Sequence, residues 1–214
     1  MKLTDIDAIY CINLHKRPDR LISFKTKWGA SIPNDSLPTV KIFKAIDADD
    51  PLTIIPSHWK GACKGAWGCL TSHQKVIEDA SINRYKTIWI LEDDVLFCNN
   101  FFDRLKQTCT ELPEDWDLFY LGANFLEPAI PVSKYIAKSR GLTTHSYLLN
   151  DQHFVFHKIV EELKQLNIPI DNYYYSNLQP TLNTYFANPR ICGQEEGFSD
   201  ILKGKRNYSQ CLGV

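Results

Sequence analysis

The sequence predicts one α/β domain over residues 1–214, built on a mainly parallel sheet flanked by helices. Apolar runs of strand length alternate with segments of helical period, the pattern of a sheet whose strands are joined by crossover helices. Ile88-Trp89-Ile90-Leu91 is continuously apolar, as a strand buried on both faces requires. A chain of 214 residues is also long enough to bury one sizeable core.

Each element has its own signal. Ala8-Ile9-Tyr10-Cys11-Ile12-Asn13-Leu14 reads as a first buried strand, followed by a turn at His15-Lys16-Arg17. Pro18 suits the first position of a helix reaching to about Trp28, where its missing N–H costs nothing. Val40 to Ile46 forms a second strand after a loop rich in Pro, Asn, Asp and Ser. A glycine-rich segment, 61–68, then introduces a helix over about Ala66 to Ser81, with Trp67, Leu70, His73, Ile77 and Ala80 on one face. The strand Lys86 to Asp94 and a short helix near Phe101 to Cys109 come next. Further strands are predicted at Trp116 to Leu121 and Thr143 to Leu149. Asp151 is placed to cap a helix running to about Leu166, and the tail after Pro169 reads as turn-rich and irregular.

The chemistry concentrates where the Ile88–Leu91 run meets Glu92-Asp93-Asp94. Carboxylates at the C-terminal end of a buried strand lie where open α/β sheets place ligands. Their mutual repulsion raises their pKa values unless a cation sits among them. Oxygen donors favour a hard divalent ion, Mg²⁺ or Mn²⁺, over zinc. A solvated acidic turn is the competing explanation. Arg17 and Arg20 flank the turn at the first helix's N-terminus, a position suited to phosphate. An exposed turn with an Arg17–Asp19 ion pair accounts for Arg17 equally well.

Twenty-four basic against 25 acidic residues leave a net charge of −1, which argues against a nucleic-acid footprint. The seven cysteines are scattered, without zinc-knuckle or redox spacing, so they read as free thiols in a reducing cytoplasm. Residues 1–7 resemble neither a secretory signal nor an anchor, and no apolar window reaches the ~20 residues of a spanning helix.

Five segments in order resemble glycosyltransferase family 25, which includes lipopolysaccharide galactosyltransferases and collagen galactosyltransferase domains. Ile12-Asn13-Leu14-His15-Lys16-Arg17-Pro18-Asp19-Arg20 matches the opening Ile-Asn-Leu-x-x-Arg-x-x-Arg pattern. Gly68-Cys69-Leu70-Thr71-Ser72-His73 resembles the Gly-Cys-x-x-Ser-His helix start, and Leu91-Glu92-Asp93-Asp94 the Asp-x-Asp metal motif. Thr144-His145-Ser146-Tyr147 and Pro169-Ile170-Asp171 resemble the later elements. The resemblance implies an A-type glycosyltransferase fold, Rossmann-like, with a uridine diphosphate sugar as donor and Mn²⁺ (or Mg²⁺) as cofactor. It further implies an inverting transfer of a hexose, galactose or glucose, to a glycan or other hydroxylated acceptor in lipopolysaccharide or glycan biosynthesis.

By the same resemblance Asn13, Arg17 and Arg20 border the nucleotide, and Ser72 and His73 line the donor site. Asp94 ligates the metal, with Glu92 or Asp93 touching ribose, sugar or metal-bound water, and His145 contacts metal or phosphate. Asp171 is the candidate base, with a helix N-cap as its equal alternative. Gln194, Ser199 and Asp200 resemble a closing element folded over the donor. His73 also reads as a satisfied core histidine. Two other functions compete: a Mg²⁺-dependent nucleotidyltransferase or phosphohydrolase, for which the glycine-free Ile12–Arg20 turn is a poor phosphate loop, and a non-catalytic binding module.

Overall fold

A computed structural model describes residues 1–61, 63–199 and 204–206. Its centre is an eight-stranded sheet whose strands are β1 (Ala8–Asn13), β2 (Val40–Lys44), β3 (Thr87–Glu92), β5 (Leu118–Tyr120), β7 (Ile130–Pro131), β8 (Ile136–Lys138), β10 (Ser146–Asn150) and β11 (Thr184–Ala187). Their spatial order is β2-β1-β3-β10-β5-β11-β8-β7. β1 pairs in parallel with β2 and β3, and β5 with β11. β10 is antiparallel to both β3 and β5, and β8 to both β11 and β7. These pairings leave β10 and β8 running against the other six, so the sheet is mixed and mostly parallel.

Side chains alternate faces along each strand, which gives the sheet two separate cores. Ala8, Tyr10, Ile12, Ile88 and Ile90 face one cluster; Ile9, Cys11, Trp89 and Leu91 face the other. The first face is covered by α2 (Lys64–Ile82) and α4 (Val155–Leu163), the second by α1 (Pro18–Ser31) and α3 (Phe101–Glu111). Helices on both faces explain why the central strands read as unbroken apolar runs.

Among the described residues, three small two-stranded ribbons complete the fold. β4 (Val95–Phe97) pairs with β12 (Cys192–Gln194), β6 (Asn124–Phe125) with β9 (Gly141–Leu142), and β13 (Gly197–Ser199) with β14 (Gly204–Arg206). The β4–β12 ribbon matters most, because it carries Gln194 back to the end of β3. Gly122 permits that approach: a Cβ there would lie 2.0 Å from the Cys192 carbonyl oxygen.

Two expectations are corrected. The chain after Pro169 is not irregular: it forms α5 (Ile170–Tyr173), a π-helical turn (Tyr174–Leu178), α6 (Gln179–Thr181) and then β11. Burial of Ile170, Tyr173, Tyr174 and Leu178 outweighs the weak helix propensity of this Tyr/Asn/Ser-rich stretch. The helix expected from Asp151 is a 3₁₀ turn (Asp151–His153) followed by α4, which stops at Leu163. Asp151 still accepts the Phe156 N–H at 2.8 Å, the bond a capping side chain makes.

Candidate active site

β1 and β3 run side by side, so their C-terminal ends open into one place. Asn13 ends β1, Glu92 ends β3, and Asp93-Asp94 form the turn into β4. The three carboxylates border a cleft of about 340 Å³ whose lining includes Arg20, Ser72, His73, Glu92, Asp93, Asp94, Asp171 and Gln194, with Asn13 behind Asp93. Residues from five separate chain segments therefore meet here. A smaller pocket adjoins it, lined by Arg17, Asp19, Arg20, Ser23, Asp94, Glu195 and Glu196.

The three carboxylates have different partners. Asp93 is buried, accepts Asn13 Nδ2 at 2.7 Å and pairs with Arg20 Nη1 at 3.1 Å. Burial nonetheless outweighs those partners and raises its pKa. Glu92 accepts the Thr144 hydroxyl at 2.7 Å and lies 3.4 Å from His73 Nε2. Burial works to raise its pKa, but His73, Thr144 and His145 together hold it below the ordinary value. Asp94 pairs with Arg20 at 3.4 Å through Oδ2, while its buried Oδ1 has no hydrogen-bond partner among the described residues. Burial, with Glu92 beside it, pushes Asp94 up to about 7 despite the attraction of Arg20. Arg20 thus supplies part of the cation that the acidic turn demands, and Asp94 carries the unmet remainder.

The helix side of the cleft is set by α2. Gly68 lets the helix approach the chain after β2, since a Cβ there would meet the Ile46 carbonyl oxygen at 2.7 Å. Ser72 then bolts the two together, donating to the Gly68 carbonyl at 2.6 Å and accepting the Ile46 N–H at 2.8 Å. Its hydroxyl is therefore committed to structure, although the residue borders the cleft. His73 is fully buried, with Nδ1 2.8 Å from the Tyr147 hydroxyl and its other nitrogen facing Glu92. It is at once a core histidine and a cleft residue.

Asp171 sits in the first turn of α5 and is half-buried. The N-cap is Pro169, so Asp171 is not the cap; its Oδ1 accepts only the adjacent Asn172 N–H at 2.9 Å among the hydrogen bonds described. Burial and the nearby Glu92 raise its pKa, a change that makes a carboxylate a better proton acceptor.

Two expected contacts lie off the main cleft. Arg17 forms the ion pair with Asp19, at 2.7 Å, and lines the smaller pocket together with Asp94. His145 is buried against Gly122 rather than lining the cleft, with Nδ1 3.0 Å from the Thr143 hydroxyl. Burial pushes its pKa down to about 4, keeping it neutral. Its carbonyl oxygen accepts the Glu92 N–H at 3.0 Å, which ties the end of β3 to the start of β10. The Ser199 side chain and Asp200 lie outside the described residues. Sequence reasoning overlooked Cys69 and Thr144, both in the cleft wall; Cys69 stands one helical turn before His73, a spacing visible in the sequence.

Comparison with known proteins agrees with this architecture. The chain is 29% identical over 154 residues to "Procollagen lysyl hydroxylase and glycosyltransferase" of Acanthamoeba polyphaga mimivirus, covering 62% of this chain and 17% of that protein. It is 27% identical over 168 residues to "Procollagen galactosyltransferase 1-B" of Xenopus laevis, covering 67% and 26%. It is 25% identical over 134 residues to "Inactive glycosyltransferase 25 family member 3" of Homo sapiens, covering 57% and 22%. The chain thus spans about a quarter or less of the length of these relatives. The solved structure of a glycosyltransferase involved in the glycosylation of the major capsid of PBCV-1 superimposes with a TM-score of 0.53 at 12% identity, over 84% of this chain and 79% of that one, and so shares the fold. The family model described as "Glycosyltransferase family 25 (LPS biosynthesis protein)" matches residues 6–174, and the chain belongs to that family.

Proposed function

We propose that the protein is an inverting, metal-dependent glycosyltransferase that moves a hexose, galactose or glucose, from a uridine diphosphate sugar to a hydroxylated acceptor. The observation that carries this reading is Asp94: a half-buried carboxylate whose buried Oδ1 has no hydrogen-bond partner among the described residues and whose pKa is raised, at the mouth of two parallel strands. Such a group gains most from a bound cation, and with Glu92 nearby the hard oxygen donors fit Mn²⁺ or Mg²⁺. A divalent ion held there would screen the charge that develops on the departing diphosphate.

The chain's own residues divide the remaining work. Arg20 holds Asp93 and Asp94 in place and presents its guanidinium to both pockets, where a diphosphate oxygen can accept from it. Asn13 fixes the Asp93 carboxylate, and Thr144 fixes Glu92 beside His73. Asp171 accepts the proton of the acceptor hydroxyl as its oxygen bonds to the sugar's anomeric carbon and the bond to the diphosphate breaks. Attack from the face opposite the leaving group inverts that carbon.

The test is incubation with Mn²⁺, a panel of uridine diphosphate hexoses and hydroxylated acceptors, with release of uridine diphosphate monitored. Release that depends on one sugar and on acceptor supports the proposal. Tight nucleotide binding with no turnover on any combination would instead favour a non-catalytic binding module.

A further inference from the structure

Cys69, His73 and Glu92 place a sulfur, a nitrogen and an oxygen atom within 4.8 Å of one another in the cleft wall. Cys69 and His73 lie four residues apart on α2, and hence on one face, while Glu92 comes from the end of β3. His73 is fully buried, yet its Nε2 has no hydrogen-bond partner among the described residues; Glu92 Oε1 stands 3.4 Å away, beyond the usual bonding range. That separation has another meaning. Two donors each bound at ~2.0–2.1 Å to a tetrahedral ion stand about 3.4 Å apart.

The surroundings are those of a metal site. The Tyr147 hydroxyl holds His73 Nδ1 at 2.8 Å and is itself 3.2 Å from the Tyr174 hydroxyl, fixing the ring with Nε2 toward Glu92. The Thr144 hydroxyl donates to the same Glu92 Oε1 at 2.7 Å and fixes that oxygen beside His73. Anchoring of a histidine through its outer nitrogen is how proteins prepare metal positions. A sulfur–nitrogen–oxygen set selects a thiophilic, borderline ion, whereas the all-oxygen Asp94 position selects a hard one.

We propose that Cys69, His73 and Glu92 form a second cation site, specific for Zn²⁺, distinct from the Asp94 position and sharing Glu92 with it. The ion binds Cys69 Sγ, His73 Nε2 and Glu92 Oε1, the thiol proton passing to solvent. A fourth position opens into the cleft for water or a ligand oxygen. Zn²⁺ there draws Glu92 into its own coordination and narrows the cleft that Asp94 serves, so the site opposes the hard-metal site.

Co²⁺ is the probe, because its thiolate complexes absorb in the near ultraviolet. The intact chain is titrated with Co²⁺ and then with Zn²⁺. A thiolate-to-cobalt band that saturates and is displaced by Zn²⁺ is expected, absent in Cys69→Ser and kept in Cys63→Ser. Tyr147→Phe keeps the ring but loses the anchor, and should weaken Zn²⁺ binding ~10–100-fold. Should Cys69→Ser fail to fold, alkylation of the native protein replaces it: Zn²⁺ should protect Cys69 but not Cys98, read by peptide mass. No band in the native chain, a full band in folded Cys69→Ser, or alkylation of Cys69 at an unchanged rate overturns the proposal.

Discussion

Replacing Asp94 with Asn tests the electrostatics of the cleft directly. The carboxyl is pushed from 3.8 up to about 7, a value already net of its attraction to Arg20. For an acid whose pKa is raised by folding, the penalty is absent below the unfolded value, grows as pH rises through the interval, and is complete above the folded value. At ~1.4 kcal/mol per unit, the raised pKa of Asp94 costs the metal-free fold about 4 kcal/mol at pH 8, where the carboxylate is ionised, and about 2 kcal/mol at pH 5, where the fold holds it neutral. The amide keeps the shape and carries no charge. In EDTA, Asp94→Asn should therefore be more stable than the native protein at pH 8, with the advantage shrinking by roughly 2–3 kcal/mol at pH 5. Urea unfolding at the two pH values measures this. Saturating Mn²⁺ at ~100 times its Kd should then restore about 2.7 kcal/mol to the native protein and little to the variant. A variant less stable than the native protein at pH 8, or equally displaced at both pH values, would refute the account of Asp94 as a frustrated carboxylate awaiting a cation.

Three further substitutions separate chemistry from scaffolding. Asp171→Asn should lower turnover ~10²–10⁴-fold with donor affinity near native, because the amide cannot take a proton; normal turnover would end the assignment as base. Arg17→Ala should weaken binding of uridine diphosphate by about 1.5–3 kcal/mol if the residue donates a charged hydrogen bond to the diphosphate. Calorimetry checks this, and the melting temperature should barely move, since the Asp19 pair is exposed. Ser72→Ala should behave in the opposite way, costing about 1–3 kcal/mol in denaturant unfolding by stranding the Ile46 N–H, because its hydroxyl is spent between α2 and the chain after β2.

The parts of the fold legible in the sequence were those governed by local pattern. β1, β3 and α2 follow from apolar runs and a helical stripe that tertiary packing reinforces. What stayed hidden depends on distant contacts. The reversed strand β10, lying between β3 and β5, has the same composition as a parallel strand would. The three-residue β4 and β12 exist because each pairs with the other across the sequence, and nothing local announces them. The helical run from Ile170 is shaped by buried tyrosines, not by propensity. At the cleft, Arg20, Glu92, Asp93 and Asp94, with Asn13 bonded to Asp93, were readable as one constellation because strand ends converge in an α/β sheet. Arg17 and His145 were not separable from it, since the sequence cannot say that one turns toward Asp19 or that the other is packed on Gly122.

The most direct test of the central claim is calorimetric titration of the native chain with uridine diphosphate, in Mn²⁺ and again in EDTA. If the nucleotide is held through a cation at Asp94, binding should be tight with Mn²⁺ and weak in EDTA, and Asp94→Asn should bind weakly in both. Equal affinity in the two conditions would contradict it.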